Sequence, residues 1–291
     1  MDAWGLFLLN GLSWAMTVFL TAAGLTLLFG ILHILNFAHG GFVMIGSYLA
    51  YSLLALVGTV SLWQFMAVTL ASALALGLVG AVVDRLVFRR LRGVNDSYSL
   101  IATYALLLLC QGFVKLVWGQ DFLSVSPPAE LRGAVQLGSV LAPRFVLFII
   151  ACGALVFLVL DLLMHRTSLG KTVQSVALDP WMAALLGINV QAVLVGTVVV
   201  GVALAGFAGA VLATNISLSP TMGGNLIIQA FGAIIVGGMG NIRGAFMASI
   251  LLGVMTTVGD QVFPAIPGLF FYVAMILILI VRPQGLLKGI R

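Results

Sequence analysis

The residues able to do chemistry in this chain are few, and a cluster of them lies in one short stretch. GILHILNFAHGG, from Gly30 to Gly41, holds His33 and His39 with Asn36 between them. An imidazole can move a proton, hold a metal or hydrogen-bond a solute. Six positions apart, the two histidines would face opposite sides of a helix. No cysteine or carboxylate separates them, so metal binding is a weak reading. An intramembrane enzyme is weaker still, because no nucleophile stands with a base. A second stretch, HRTSLGKT, ends in Gly170-Lys171-Thr172 like the tail of a phosphate-binding loop. That motif needs glycine where His165 stands, and a strand before it, so nucleotide binding is set aside. Asp161 and His165, at i and i+4, read as a helix-end pair. Cys110 and Cys152 sit in apolar runs and read as small core hydrophobes. What survives is hydrogen bonding by Asn36 and neutral His39, either to a passing solute or to the broken backbone around them.

Composition says what must position these groups. The 291 residues are 62% hydrophobic and 7% charged, with a mean hydropathy of +1.23; soluble domains are about 25% charged. The expectation is an all-α, polytopic helical membrane protein forming a single transmembrane domain over 1–291. A span needs about 20 apolar residues. Apolar length gives candidates at 4–30, 41–58, 61–88, 97–118, 144–164, 190–214, 225–240, 244–262 and 267–281. The total becomes eight to ten if some segments are broken or re-entrant. Two loosely repeated halves, about 1–143 and 144–291, are expected. The N-terminus lacks a basic region, so the first span is expected to act as its own insertion signal. The 34 glycines suit close helix approach.

Charge gives orientation. Arg85, Arg89, Arg90, Arg92, Arg166, Lys171, Arg243, Arg282, Lys288 and Arg291 fall on one side of a nine-span arrangement, and Lys115, Arg132 and Arg144 on the other. The excess marks the cytoplasm, with the N-terminus outside and the C-terminus inside. The net charge of +5 is then topology; the basic residues are not interleaved with stacking aromatics as a nucleic-acid surface requires. Asp84, Asp161 and Asp260 lie near predicted span ends, where snorkelling or capping accounts for them. With no charge at mid-membrane, the energy source is expected in another chain. The outer segment around Pro127–Pro128 reads as a connector, as a cover over a pathway or as a contact for a partner.

Two breaks and one polar loop interrupt the spans. LNFAHGGF carries no basic residue, so it reads as a short or broken helix dipping into the interior, where non-helical backbone is tolerated if buried or facing a cavity. The late break, FGAIIVGGMGNIRGAF, contains Gly237, Gly238, Gly240 and Gly244. Paired glycine-interrupted segments in two halves point to a pathway; tight packing turns are the alternative. Gly201, Ala205 and Gly209, at steps of four, make a small-residue packing face. In HRTSLGKTVQSVALDPWMAALLGINV, Gly170 is expected to break the segment. Asp179 caps the next turn with Pro180 at its first position. Ala183, Ala184 and Leu185 keep that helix slim, and Gly187 ends it. A slim surface helix suits a groove on a partner protein.

These three stretches resemble the permease of the branched-chain amino acid ABC importers, the hydrophobic amino acid uptake class, and in size the smaller of its two permeases. GLTLLFGILHILNFAHGGFVMIGSYLA, RTSLGKTVQSVALDPWMAALLGINV and FGAIIVGGMGNIRGAF carry the resemblance nearly end to end. It implies a bacterial inner-membrane subunit that pairs with a second permease. Two cytoplasmic ATPase subunits bind the ATP, and a periplasmic binding protein delivers the substrate. No cofactor is expected in this chain, and its remaining surface meets membrane lipid. Asp179, Ala183, Ala184 and Gly187, with Gly170, match the family's ATPase-docking loop of about 165–189. Asn36, His39, Gly237, Gly238 and Gly240 are the pathway candidates. Pro180 and Trp181 stand where relatives often carry charge, Gln174–Ser175 replaces a commonly basic pair, and Gln229 stands where lysine is frequent. Similar permeases serve urea, short amides or small carboxylates. The competing reading is a stand-alone channel or facilitator for a small polar solute.

Overall fold

The computed structural model describes residues 2–58, 60–137 and 140–287; Lys288 and Arg291 of the charge count lie outside them. The long elements are α1 (Asp2–Leu32), α2 (Ala38–Ala55), α3 (Leu62–Val83), α5 (Asp96–Trp118) and α6 (Arg144–Arg166), followed by α9 (Val190–Leu212), α10 (Met222–Gly237), α11 (Ile242–Val262) and α12 (Leu269–Val281). Short pieces join them: a π-helical turn at Asp84–Phe88, α4 (Arg89–Leu91), α7 (Ser168–Leu178) and α8 (Pro180–Leu185). Seven helical stretches are long and apolar enough to cross a membrane, with α10 and α12 as shorter apolar helices. The expected spans coincide with these nine to within a few residues. In the connection read as a cover, a partner contact or a plain connector, Ala134–Leu137 pairs antiparallel with Val140–Pro143.

Why these segments are helical follows from the solvent. Hydrocarbon offers no partner for a bare N–H or C=O, so the backbone must bond within itself. The hydroxyls follow the same rule: Thr17, Thr21 and Thr26 donate to the Ser13, Thr17 and Ala22 carbonyls four residues back. Helix starts are capped where the sequence supplies acceptors. Ser61 and Gln64 form a reciprocal capping box at α3, and the Glu130 carboxylate accepts from the Leu62 N–H at 3.0 Å. Asp260, read as an end-capping residue, accepts from the Gly268 N–H at 2.8 Å and ties α11 to α12.

Helix α1 is the buried centre, packed against α6, α9, α10 and α11. The face opposite the core of α3, α5 and α6 carries Leu74, Leu78, Leu109, Leu116 and Leu155, all exposed, as lipid contact requires. Within the bundle, α9 runs along both α2 and α3. The expected small-residue face of α9 is a packing face: a side chain on Gly201 would strike Leu28 of α1, and one on Gly209 would reach the Ser47 backbone nitrogen at 2.8 Å. Ser47 Oγ donates across this contact to the Gly209 carbonyl at 2.7 Å. Cys110 and Cys152 are buried free thiols, as expected.

Gly209→Leu therefore forces α2 and α9 apart and is expected to lower the unfolding midpoint in detergent sharply, by the ~1–3 kcal/mol of overpacking or more. Ser47→Ala removes only the hydroxyl bridge and costs about 0.5–1.5 kcal/mol. Equal stability of Gly209→Leu and the parent chain would refute the close approach.

Candidate docking segment and pathway

The docking candidate begins where α6 ends. Thr167 terminates α6 in extended backbone and caps α7, its Oγ1 accepting from the Gly170 N–H at 3.1 Å and donating to the Leu163 carbonyl at 2.6 Å. The break thus falls at Thr167, not at Gly170. Gly170 is buried inside the first turn of α7, where a Cβ would meet the Met164 Cα at 2.6 Å, so its role is to let α7 fold back on α6. Lys171 and Thr172 lie in the same helix, in no phosphate-binding arrangement. Gln174 donates from Nε2 to the Met164 carbonyl at 2.7 Å and satisfies the end of α6.

Asp179 is the hinge between α7 and α8. Its Oδ1 accepts from the Met182 N–H at 2.9 Å, with Pro180 at the first helical position. Gly187 ends the turn at φ +82°, a conformation that favours glycine, while the Gly187 and Ile188 N–H groups bond the Ala184 and Ala183 carbonyls. Asn189 then caps α9. The expected slimness is one-sided. Ala183 turns inward and is buried, whereas Trp181, Met182, Leu185 and Leu186 are exposed beside Ala184. Six residues cannot hide both faces, so the outward one is a short apolar knob.

The pathway candidates divide differently. Helix α1 stops at Leu32, and His33 takes φ +54°, the one non-glycine positive φ among the described residues. His33 stays exposed. Asn36 and His39 are buried, and His39 belongs to the first turn of α2. His39 Nε2 lies 3.1 Å from the Thr21 carbonyl. A carbonyl only accepts, so Nε2 carries the proton and Nδ1 is left as an acceptor. Neither His39 Nδ1 nor Asn36 Oδ1 has a hydrogen-bond partner. The turn is braced by Thr103, which donates to the Leu35 carbonyl at 2.9 Å, and by Phe37 against Phe231, ring centroids 4.8 Å apart.

The late break comes to the same end of the bundle. Gly237 closes α10 and Asn241 caps α11; between them Gly238 and Gly240 take φ +103° and +82°. A Cβ on Gly240 would sit 2.8 Å from the Gly30 Cα, so the late break touches the last turn of α1, just ahead of the early break. A small crevice lined by Thr26, Gly30, Gly240, Met164, Gln174 and Ala177 links this contact to α7. Beside it, Arg243 forks onto Asp161, at 2.6 and 3.0 Å. The Asp161–His165 pair is present at 3.1 Å, but the fork from α11 could not be read from local spacing.

A bundle of apolar helices long enough to cross a membrane, with an exposed apolar turn at one end, is the architecture of an integral membrane protein. Comparison with known families agrees: the family model for the branched-chain amino acid transport system, permease component, matches residues 7–281. The chain belongs to this family. It is 34% identical over 291 residues to the high-affinity branched-chain amino acid transport system permease protein BraD of Pseudomonas aeruginosa, covering 96% of this chain and 94% of BraD. It is 28% identical to the corresponding protein LivH of Escherichia coli, covering 96% and 93%. The probable permease LivH of Methanocaldococcus jannaschii is 27% identical, covering 92% of this chain and 87% of its own length. No solved structure matches the chain significantly.

The α8 cap is open to direct measurement. Asp179→Ala is expected to destabilise α8 by about 1 kcal/mol and to raise amide exchange around Met182, while Asp179→Asn keeps both near the parent values. Unchanged exchange in Asp179→Ala would remove the cap from the account.

Proposed function

We propose that this chain is one permease of an ATP-driven importer for branched-chain and other hydrophobic amino acids. It pairs with a second permease, receives substrate from a periplasmic binding protein and is driven by two ATPases that hold the ATP. The carrying observation is the full-length family match, joined to the exposed apolar turn of α8. In this reading the end bearing α8 is cytoplasmic and the N-terminus lies outside, in a bacterial inner membrane. Eight basic residues, from Arg85 to Arg282, support it by clustering at that end, against Lys115, Arg132 and Arg144 at the other. Gly170 and Asp179 hold α7 and α8 in place, Ala183 seats α8 on the bundle, and Ala184 and Gly187 leave its outer face clear for a groove on an ATPase.

The pathway in this reading passes the early and the late break, counterparts in halves 1–143 and 144–291. An amino acid carries an ammonium with three donors, and Asn36 Oδ1 and His39 Nδ1 are acceptors without partners. Gly237, Gly238 and Gly240 give the opposing wall a backbone without side chains. Both acceptors are buried in the chain at rest, so solute reaches them only when α1 and α2 shift at His33. Movement of α8 supplies that shift through α7 and the crevice at Gly30.

Two experiments test these statements. Leu185→Asp should cut ATP-driven uptake by more than about tenfold, the cost of losing an apolar hot spot of ~2 kcal/mol, with the chain still in the membrane and its ATPases no longer co-purifying. Co-purification at parental levels would remove α8 from the docking surface. Asn36→Cys, in a Cys110→Ser, Cys152→Ser background, should react with a polar thiol reagent during ATP turnover and not at rest. Failure to react in either state would place Asn36 off the pathway.

A further inference from the structure

A buried charge lies away from both candidate sites. Asp84 is 1% exposed, in the π-helical turn that continues α3, although its position near a span end suggested a snorkelling or capping carboxylate. A carboxylate is kept at such a position only by a partner. That partner is Arg92, whose Nη2 donates to Asp84 Oδ1. The other guanidinium nitrogen, Nη1, donates to Gln191 Oε1 at 3.1 Å. Gln191 is the second residue of α9, two after the Asn189 cap and four after Gly187. Between Gly187 and Gln191 the chain is tied down by short backbone bonds: Ile188 N–H to the Ala183 carbonyl at 3.1 Å, Val190 N–H to the Ile188 carbonyl at 2.9 Å and Val193 N–H to the Asn189 carbonyl at 3.1 Å. Displacing α8 therefore displaces Gln191. Along their length α3 and α9 approach at glycine: a Cβ on Gly80 would meet Val202 at 2.9 Å, and one on Gly206 would meet the Ser72 carbonyl at 2.7 Å.

We propose that Arg92, clamped by buried Asp84 and bridged to Gln191, is a positioning residue that makes α3 and α9 follow α8 as one body, so that ATPase movement reaches the pathway without slippage. The proposal rests on the reading of α8 as the docking helix. π-Helical turns often mark functional points in helices; this one sets Asp84 against Arg92. The fork geometry matters because a guanidinium can serve two acceptors at once in fixed directions, which an ammonium does less rigidly.

Removal of Asp84 or Arg92 risks unfolding, so the test uses Gln191, which is not among the candidate docking or pathway residues. The complete importer, with sister permease, ATPases and binding protein, is reconstituted in liposomes, and amino acid uptake and ATP hydrolysis are measured on the same preparation. Gln191→Leu keeps the volume and removes the acceptor; Gln191→Glu keeps an acceptor for Arg92. In Gln191→Leu, ATP hydrolysis and subunit stoichiometry stay at parental levels while uptake per ATP falls roughly tenfold, the factor that a charge-assisted hydrogen bond supplies. Gln191→Glu retains most of the coupling. Arg92→Lys, a second variant with the charge kept, falls between them.

Parental uptake per ATP in Gln191→Leu overturns the proposal. So does loss of the ATPases from that variant, which would make Gln191 part of the docking surface. Leu185→Asp, run in parallel, separates the two readings. If it sheds the ATPases while Gln191→Leu couples normally, docking at α8 stands and the clamp falls. If it keeps them, docking at α8 falls and the clamp falls with it.

Discussion

Hydrocarbon rewards the meeting of two apolar helix faces very little, since lipid tails are as apolar as leucine; helices in this bundle hold together because their backbones come close enough for dispersion and for direct hydrogen bonds. Glycine permits that approach. Gly209 lies against the α2 backbone and receives the Ser47 hydroxyl, Gly201 lies against Leu28, and Gly30 touches Gly240. Through these contacts α9 grips α2 and α1, with Gly80 and Gly206 giving the same close approach between α3 and α9, and α1 is enclosed at the centre. The lipid-facing surfaces of α3, α5 and α6 need no such fit, and they carry the large exposed leucines.

The two ends of the bundle are built for different purposes. At the hairpin end, the loops are fastened by ordinary ties such as Glu130 to the start of α3 and Leu123 to Leu218. At the other end the backbone is interrupted in two places, polar acceptors are left buried without partners, and α7 folds back on α6 with α8 set between α7 and α9. Interrupted helices free backbone groups and cost stability, and a fold tolerates that cost where surrounding contacts over-determine the geometry. Thr103 on the Leu35 carbonyl, Asn241 on the Gly244 N–H and the Leu286 N–H on the Val236 carbonyl supply that bracing.

Tight junctions at this end also explain why so few charges suffice. Asp161 receives both Arg243 and His165, and Asp84 receives Arg92. Each carboxylate joins segments that are distant in sequence or separated by a turn. Arg243 is half-exposed, so its pair with Asp161 is screened and adds little to stability; its value lies in fixing the start of α11 against α6. Asp84 is buried, and breaking its pair would leave a charge with no solvent.

The spans, the capped turn at Asp179–Pro180, the glycine stop at Gly187 and the packing face Gly201–Ala205–Gly209 were legible in the sequence, because hydrocarbon thickness, cap chemistry and helix period are local demands that residues meet one stretch at a time. The family was legible for another reason: the residues that carry the resemblance lie in three contiguous stretches, the two glycine-rich breaks and the polar loop. The sequence alone misplaced the break at Gly170, because nothing local says that Thr167 bonds back to Leu163 and that Gly170 must let a helix return. It read Asp84 as a snorkelling or capping residue at a span end, and its burial was not legible because that depends on where Arg92 and Gln191 arrive. It saw two glycine-rich breaks but not that Gly30 and Gly240 touch. Those facts belong to the tertiary structure alone, because each joins groups tens to hundreds of residues apart, or across a turn whose path is set by the rest of the bundle.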